Sequence, residues 1–344
     1  MLGCFDQGLL RFIRAGRVFY RTSEFNCNWG RRNDEISTGT FTVPAAENCC
    51  PPTIHARADM VEFERNGVVQ WAGYCMKPTT TDGVLSIEAM DLLDGYQRRI
   101  IRTGINVVGT DLSDIAAAVM ASADDGDPIP VVPIFSPTGI LADRIYTIDE
   151  YRIAWDALKN DLLNVGLDMT MVGTLLYVGP VENRNLRALK LRESMIEGVP
   201  ATGEDGAAYA NRIIAKGQNG LVSIYPPGPP VAPAPYPLVE AVVDANDTED
   251  QATLDLLAQQ HYDLRSAVPR FIALDQAVRL KADSPYRLED YIPGRLVDAK
   301  LDTTCVQFQQ AMRLQNVDYS LTAGQEEIKI STVPTGTVAA GVLA

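Results

Sequence analysis

Alternation of apolar and polar positions dominates the first hundred residues. Phe25, Cys27 and Trp29 alternate with polar neighbours, and Phe41 and Val43 alternate with Thr40 and Thr42. This is the two-residue period of a half-buried strand. Residues 9–13 and 17–22 flank Ala15-Gly16, and residues 61–65 and 68–71 flank Asn66-Gly67. Asn-Gly tolerates the paired positive φ angles of a type I′ turn, so it predicts a tight hairpin. Asp82-Gly83 repeats the device before Leu85, Ile87 and Ala89, which share one face. A short amphipathic piece over residues 92–101 closes this β-rich stretch.

The period lengthens after Thr110. Asp111 is placed to cap a helix whose Leu112, Ile115, Ala116, Val119 and Met120 fall on one face. A proline-studded loop, 127–137, follows it. A second helix is expected over 149–165, with Tyr151, Ala154, Trp155, Leu158 and Leu162 on its apolar face and Gly166 as its stop. Residues 167–171 and 174–178 then read as a hairpin around Val172-Gly173. Strand character returns at 210–215, before a run rich in proline, 225–237, that favours extended geometry and reads as a stiff exposed connection, with a partner-docking strap as the alternative. A third helix is expected over 249–265, with a capping box from Thr248 and Gln251 and a stripe of Leu254, Leu257, Ala258, His261 and Leu264. Short strands fill the remainder up to a small, uncharged tail.

The pattern therefore predicts an α+β chain that is mostly β, in two β-rich, barrel-like domains with an α+β insert between them. The boundaries are 1–105, 106–205 and 206–332, with a flexible tail at 333–344. The second β-rich domain holds one helix and the proline-rich loop.

Formal net charge is −14, with no run of Lys and Arg beyond pairs such as Arg31-Arg32 and Arg98-Arg99. Such a chain repels phosphate backbones, so specific nucleic-acid binding is not expected. No stretch approaches the roughly 20 apolar residues of a membrane span. The opening Met1-Leu2-Gly3-Cys4-Phe5-Asp6 does not have the build of a secretion signal.

Candidate chemistry is sparse. Cys4, Cys27, Cys49, Cys50, Cys75 and Cys305 form no C-x-x-C pair and read as structural thiols. His261 lies on the apolar stripe of the third helix, and His55 has no evident partner. Glu193 and Glu197 would repel on a helix face. Asp124, Asp125 and Asp127 lack the spacing of a calcium loop. No nucleophile elbow, phosphate loop, dinucleotide fingerprint or zinc motif is present. No catalytic, cofactor-binding or metal-binding residue is assigned, and no enzyme is expected.

In this order the segments resemble the tail-hub proteins of long-tailed phages, whose fold is shared with baseplate hubs and type VI secretion hubs. The likeness runs over roughly residues 10–332. It is carried by Trp29 to Asp34 leading to Thr40 to Pro44, by 61–77 with its Asn-Gly turn, and by 87–93. It continues through Trp155 to Leu158, 174–179, 210–214 and 291–297. The resemblance implies a structural subunit of the virion at the tail tip, a homotrimer that joins a sixfold tail tube to a threefold spike or fibre. It implies distal tail or tube proteins above, spike or fibre proteins below, and a channel for DNA through the ring. Assembly would take place in the cytoplasm of the bacterial host. Three other roles are weighed. A hexameric distal tail protein is disfavoured by the insert, and a cell-wall glycan hydrolase by the lack of a catalytic domain. A carbohydrate-binding adhesin is disfavoured because Trp29, Trp71 and Trp155 all fall on apolar faces.

Overall fold

The computed structural model describes residues 8–44, 52–180, 188–197, 201–204, 206, 209–232, 234–245, 250–266, 270–273, 278–281, 284–302 and 307–334. Cys4, Cys49, Cys50, Cys305 and Thr248 lie outside these residues, as does all but the start of the tail 333–344. The chain is mostly β and divides into two compact units. One holds Met1–Val199 with Leu274–Thr332, the other Pro200–Ala273 with Val333–Ala344.

In chain order the first unit opens with β1 (Leu9–Arg14), β2 (Arg17–Thr22), β3 (Asn26–Arg32), β4 (Thr38–Val43), β5 (Asp59–Arg65), β6 (Val68–Thr81) and β7 (Val84–Asp91). The hairpins β1–β2, β5–β6 and β6–β7 turn at Ala15-Gly16, Asn66-Gly67 and Asp82-Gly83. All six of these turn residues have positive φ, from 49° to 79°. Both central residues are left-handed, as a type I′ turn demands. Alternation places Cys27, Trp29 and Arg31 of β3 inward, with Phe41 and Val43 of β4 and Leu85, Ile87 and Ala89 of β7.

Next come β8 (Ile105–Asp111), α1 (Leu112–Ala123), β9 (Val132–Phe135), β10 (Leu141–Tyr146), α2 (residues 154–165), β11 (Met169–Val172) and β12 (Leu175–Val178). Asp111 caps α1 as its spacing predicts, accepting from the Ser113 N–H at 2.9 Å. Gly166, at φ 114°, ends α2. Leu112, Ile115, Val119, Trp155, Leu158, Leu162, Leu176 and Val178 bury into one apolar cluster with Leu92, Leu93 and Tyr96.

Two expectations here need correction. The second helix does not start at Asp149. Tyr151 has φ 49°, is 69% exposed and follows a separate 3-10 turn, so helical geometry begins only at Ala154. The loop 127–137 is not irregular throughout, because β9 runs parallel to β12 within it. Pro133 is tolerated there because β9 is the edge strand of its sheet, where a missing N–H costs no ladder bond.

The unit continues with β13 (Leu189–Arg192) and β14 (Ile196–Glu197). The second unit holds β15 (Ala201–Glu204), β16 (Arg212–Lys216), β17 (Val222–Tyr225), β18 (Glu240–Asp244), α3 (Gln251–Arg265) and β19 (Arg270–Ala273). Its three-stranded sheet β17-β16-β18 buries Ile213 and Ala215 against Leu254 and Ala258 of α3. Asp250 caps α3, taking the Thr253 N–H at 2.8 Å, so the described cap lies two residues beyond the expected Thr248. Asn211 fixes the exit of the proline-rich run: its amide donates to the Pro237 carbonyl at 2.7 Å and accepts from the Val239 N–H at 2.8 Å.

The first unit then closes with β20 (Val278–Leu280), β21 (Leu296–Asp302), β22 (Gln307–Thr322) and β23 (Gln325–Pro334). These strands do not form a sheet of their own. β22 pairs with β3, from Asn316 opposite Arg32 to Leu321 opposite Cys27. One sheet runs β14-β20-β23-β22-β3-β4-β7-β6-β5-β1-β2, with β13 and β21 branching from it. Among the described residues this sheet closes no barrel. The ring of Tyr319 from β22 stacks on Trp29 at 4.9 Å and lies 5.2 Å from Phe63, which fixes the join between the two ends of the chain.

Candidate functional site

The best-built polar site is a buried joint on the inward face of this sheet. Arg31 follows Trp29 at the next inward position of β3 and is 1% exposed. Its guanidinium donates to the carbonyls of Leu288 (2.9 Å), Tyr291 (3.0 Å) and Gln70 (3.0 Å), and to Oε1 of Gln70 (2.8 Å). Gln70 in turn donates to Glu289 at 2.9 Å. Burial lowers the guanidinium to about 10, while the charge of Glu289 acts in the opposite sense. The group therefore stays cationic at neutral pH, and a buried cation is tolerable because its two terminal nitrogens each meet two acceptors, although Nε has no partner among the described residues. The joint ties β3 and β6 to the 3-10 turn Leu288–Asp290.

A second joint lies where β3 ends. Asp34 accepts the Met169 N–H at 2.7 Å and returns its own N–H to the Met169 carbonyl at 2.8 Å. Thr170 donates to the Arg32 carbonyl at 3.0 Å, and Arg313 pairs with Asp168. Burial first, and then the Asp168 charge, push the Asp34 carboxyl well above the usual carboxylate range.

A third lies at the end of β7. Asp91 accepts from the N–H and the hydroxyl of Ser37, both at 2.7 Å, and from the Leu93 N–H at 3.0 Å. Trp71 donates to the same hydroxyl at 3.2 Å. Burial pushes Asp91 up to about 7, against the pull of these donors. The unfolded carboxyl titrates near about 4, so the folded state binds the extra proton between about pH 4 and 7. The stability linked to Asp91 is thus present below about pH 4 and is lost as pH rises towards 7. Asp91→Asn is expected to flatten this fall, which amounts to at most roughly 1.4 kcal/mol per pH unit. Urea unfolding at a series of pH values measures it, and an unchanged slope in the variant would contradict the assignment.

Strongly shifted groups often mark active sites. Here the two raised carboxyls, Asp34 and Asp91, lie within structural hydrogen-bond sets and line neither of the two cavities described next. One cavity of about 360 Å³ lies on the outward face of β3, β4, β22 and β23, lined by Asn28, Arg32, Thr40, Asp318, Ser320 and Glu327 among others. Its charges are matched, Arg32 with Asp318 and Glu327 with Lys329 at 3.2 Å. Another, of about 410 Å³, is lined partly by Phe25, Pro44 and Leu321.

The residues considered for chemistry are dispersed. Cys27 and Cys75 are buried free thiols that burial holds up at about 12, far from the thiolate form needed for reactivity. His261 sits half-buried on α3, where burial and then Arg265 lower its pKa. The backbone N–H of His55 donates to Asp59 at 2.6 Å. Glu193 and Glu197 share no helix: one is in a 3-10 turn, the other in β14, where it pairs with Arg279 at 3.3 Å. Asp124 and Asp127 are brought together by Arg99, at 3.2 and 3.0 Å. Among the described residues no group of three or more His, Cys, Asp or Glu is placed to hold a metal ion. No described helix is long and apolar enough to cross a membrane.

No family model and no curated protein matches the sequence. Solved structures do match the fold. A tail protein from Neisseria meningitidis MC58 aligns with TM-score 0.64 and 14% identity over 96% of this chain and 97% of that one. The 43 kDa tail protein of prophage MuSo2 from Shewanella oneidensis aligns with TM-score 0.67 and 11% identity, over 95% and 98%. Prophage tail protein gp18 from Listeria monocytogenes EGD-e aligns with TM-score 0.60 and 12% identity, over 98% and 97%. The chain shares its fold with these tail proteins.

Proposed function

We propose that this chain, built on the fold of phage tail proteins, is a structural subunit of a phage tail tip. In this reading it forms a hub ring that joins the sixfold tail tube to a threefold spike or fibre. The observation that carries the reading is the extent of the likeness, which runs over 95–98% of the chain in three tail proteins.

Symmetry gives the reading its physical content. Three copies, each contributing two similar β-rich parts, can meet a sixfold ring on one side and a threefold tip on the other. Residues 1–105 and 206–332 are the proposed barrel-like parts, and 106–205 the insert. Strand alternation supports them, because a wall that buries every second side chain is what a barrel requires. The partners are two further copies, tube or distal tail proteins above, and spike or fibre proteins below. A channel through such a ring would pass DNA without holding it, since a net charge of −14 repels phosphate. The protein would belong to the virion and assemble in the host cytoplasm.

Gold-labelled antibody against the chain, viewed by electron microscopy on tails of a phage that encodes it, tests the placement. Label at the tail tip is expected; label along the tube or at the head end would overturn it.

A further inference from the structure

Strands β8 and β10 form a two-stranded antiparallel ribbon, and among the described residues no strand joins either outer edge. One face is closed: Ile105 and Tyr146 are buried, and Val107 and Ala142 pack on the apolar cluster. The other face is open. Val108, Leu141 and Ile145 are 76%, 66% and 64% exposed. Ile148 and Tyr151, in the turn that follows, are also largely exposed. Scattered exposed aliphatics are ordinary, but five large exposed side chains along one ribbon and the turn that follows it are of the kind that marks an interface. A free edge beside such a patch also offers backbone groups to an added strand.

Charge decides what the patch fits. Within 105–111 and 141–151 the exposed ionisable residues are Asp143, Asp149 and Glu150, all acidic, and the exposed Arg102 lies three residues before the ribbon. The cation within those spans, Arg144, is half-buried and donates to the carbonyls of Asp143 and Asp161 at 2.8 and 2.9 Å. A second copy docked through the same face would bring the same carboxylates together, and like charges across an interface are costly.

We infer that this ribbon docks a different protein, one that lays an extended segment of alternating branched apolar side chains along it and sets Lys or Arg beside Asp149 and Glu150. The inference rests on this surface alone and does not depend on the tail-tip reading.

A labelled peptide of alternating lysine and valine, titrated with the full chain and followed by fluorescence anisotropy, tests it. Binding is expected. It should weaken by about tenfold or more in Leu141→Ser/Ile145→Ser, which removes apolar contact. A loss of similar size, about tenfold, is expected in Asp149→Lys/Glu150→Lys, which reverses the rim. A glutamate–valine peptide should not bind. All these side chains are exposed, so both variants should keep the wild-type melting temperature; if the serine pair loses it, the lysine pair carries the test. Failure of the lysine–valine peptide to bind would overturn the inference, as would equal binding by wild type and both variants. Self-association of the wild type that the serine pair abolishes would overturn it too, by making a second copy the occupant.

Discussion

Replacing Arg31 with Met is expected to destabilise the first unit by about 3–5 kcal/mol, the usual cost of breaking a buried charged network from one side. Methionine fills much of the volume but donates nothing. It would leave the Leu288, Tyr291 and Gln70 carbonyls and Gln70 Oε1 without the donor they now share. Each buried acceptor stranded in this way costs about 1–3 kcal/mol. The loss should be felt at both ends of the sequence, because the joint ties β3 and β6 to the turn before β21. Denaturant unfolding measures the loss, and protease cleavage between residues 284 and 295 should rise with it. A variant within about 1 kcal/mol of wild type would mean that the joint is not what holds this turn.

Trp155→Ala is expected to cost about 3–5 kcal/mol, the range for truncating a large core aromatic. Trp155 is 5% exposed and packs in the cluster that joins α1, α2 and the β11–β12 hairpin. The cavity would open inside the apolar cluster that these elements share, so residues 105–178 should lose hydrogen-exchange protection before the long sheet does. Uniform loss across the unit would contradict that order.

The parts of the fold legible in the sequence were those set by neighbours in the chain. Asn66-Gly67 and Asp82-Gly83 dictate their turns because few residues accept paired positive φ. Asp111 announces α1 because its carboxylate reaches the first free N–H groups. The pairing of β22 with β3 was not legible, because a two-residue period says which face is buried and not which strand lies alongside. The separation of the β-rich ends in sequence likewise did not announce that strands from both join one sheet. Tyr151 was misplaced because its apolar ring fits a helical face, while its left-handed backbone points it out.

Arg31 is the instructive miss. It was read as half of a basic pair with Arg32, yet it follows Phe25, Cys27 and Trp29 in strict alternation. That parity alone places it inward, and a buried arginine must find acceptors. Its partners, Gln70 and the carbonyls of residues 288 and 291, lie too far along the chain for any local pattern to name them. The Asp34–Met169 and Asp168–Arg313 contacts escaped for the same reason.

Native mass spectrometry of the purified full chain tests the hub reading most directly. The account predicts a trimer, or a multiple of three, because only that stoichiometry reconciles a sixfold tube with a threefold tip. A stable dimer would contradict it.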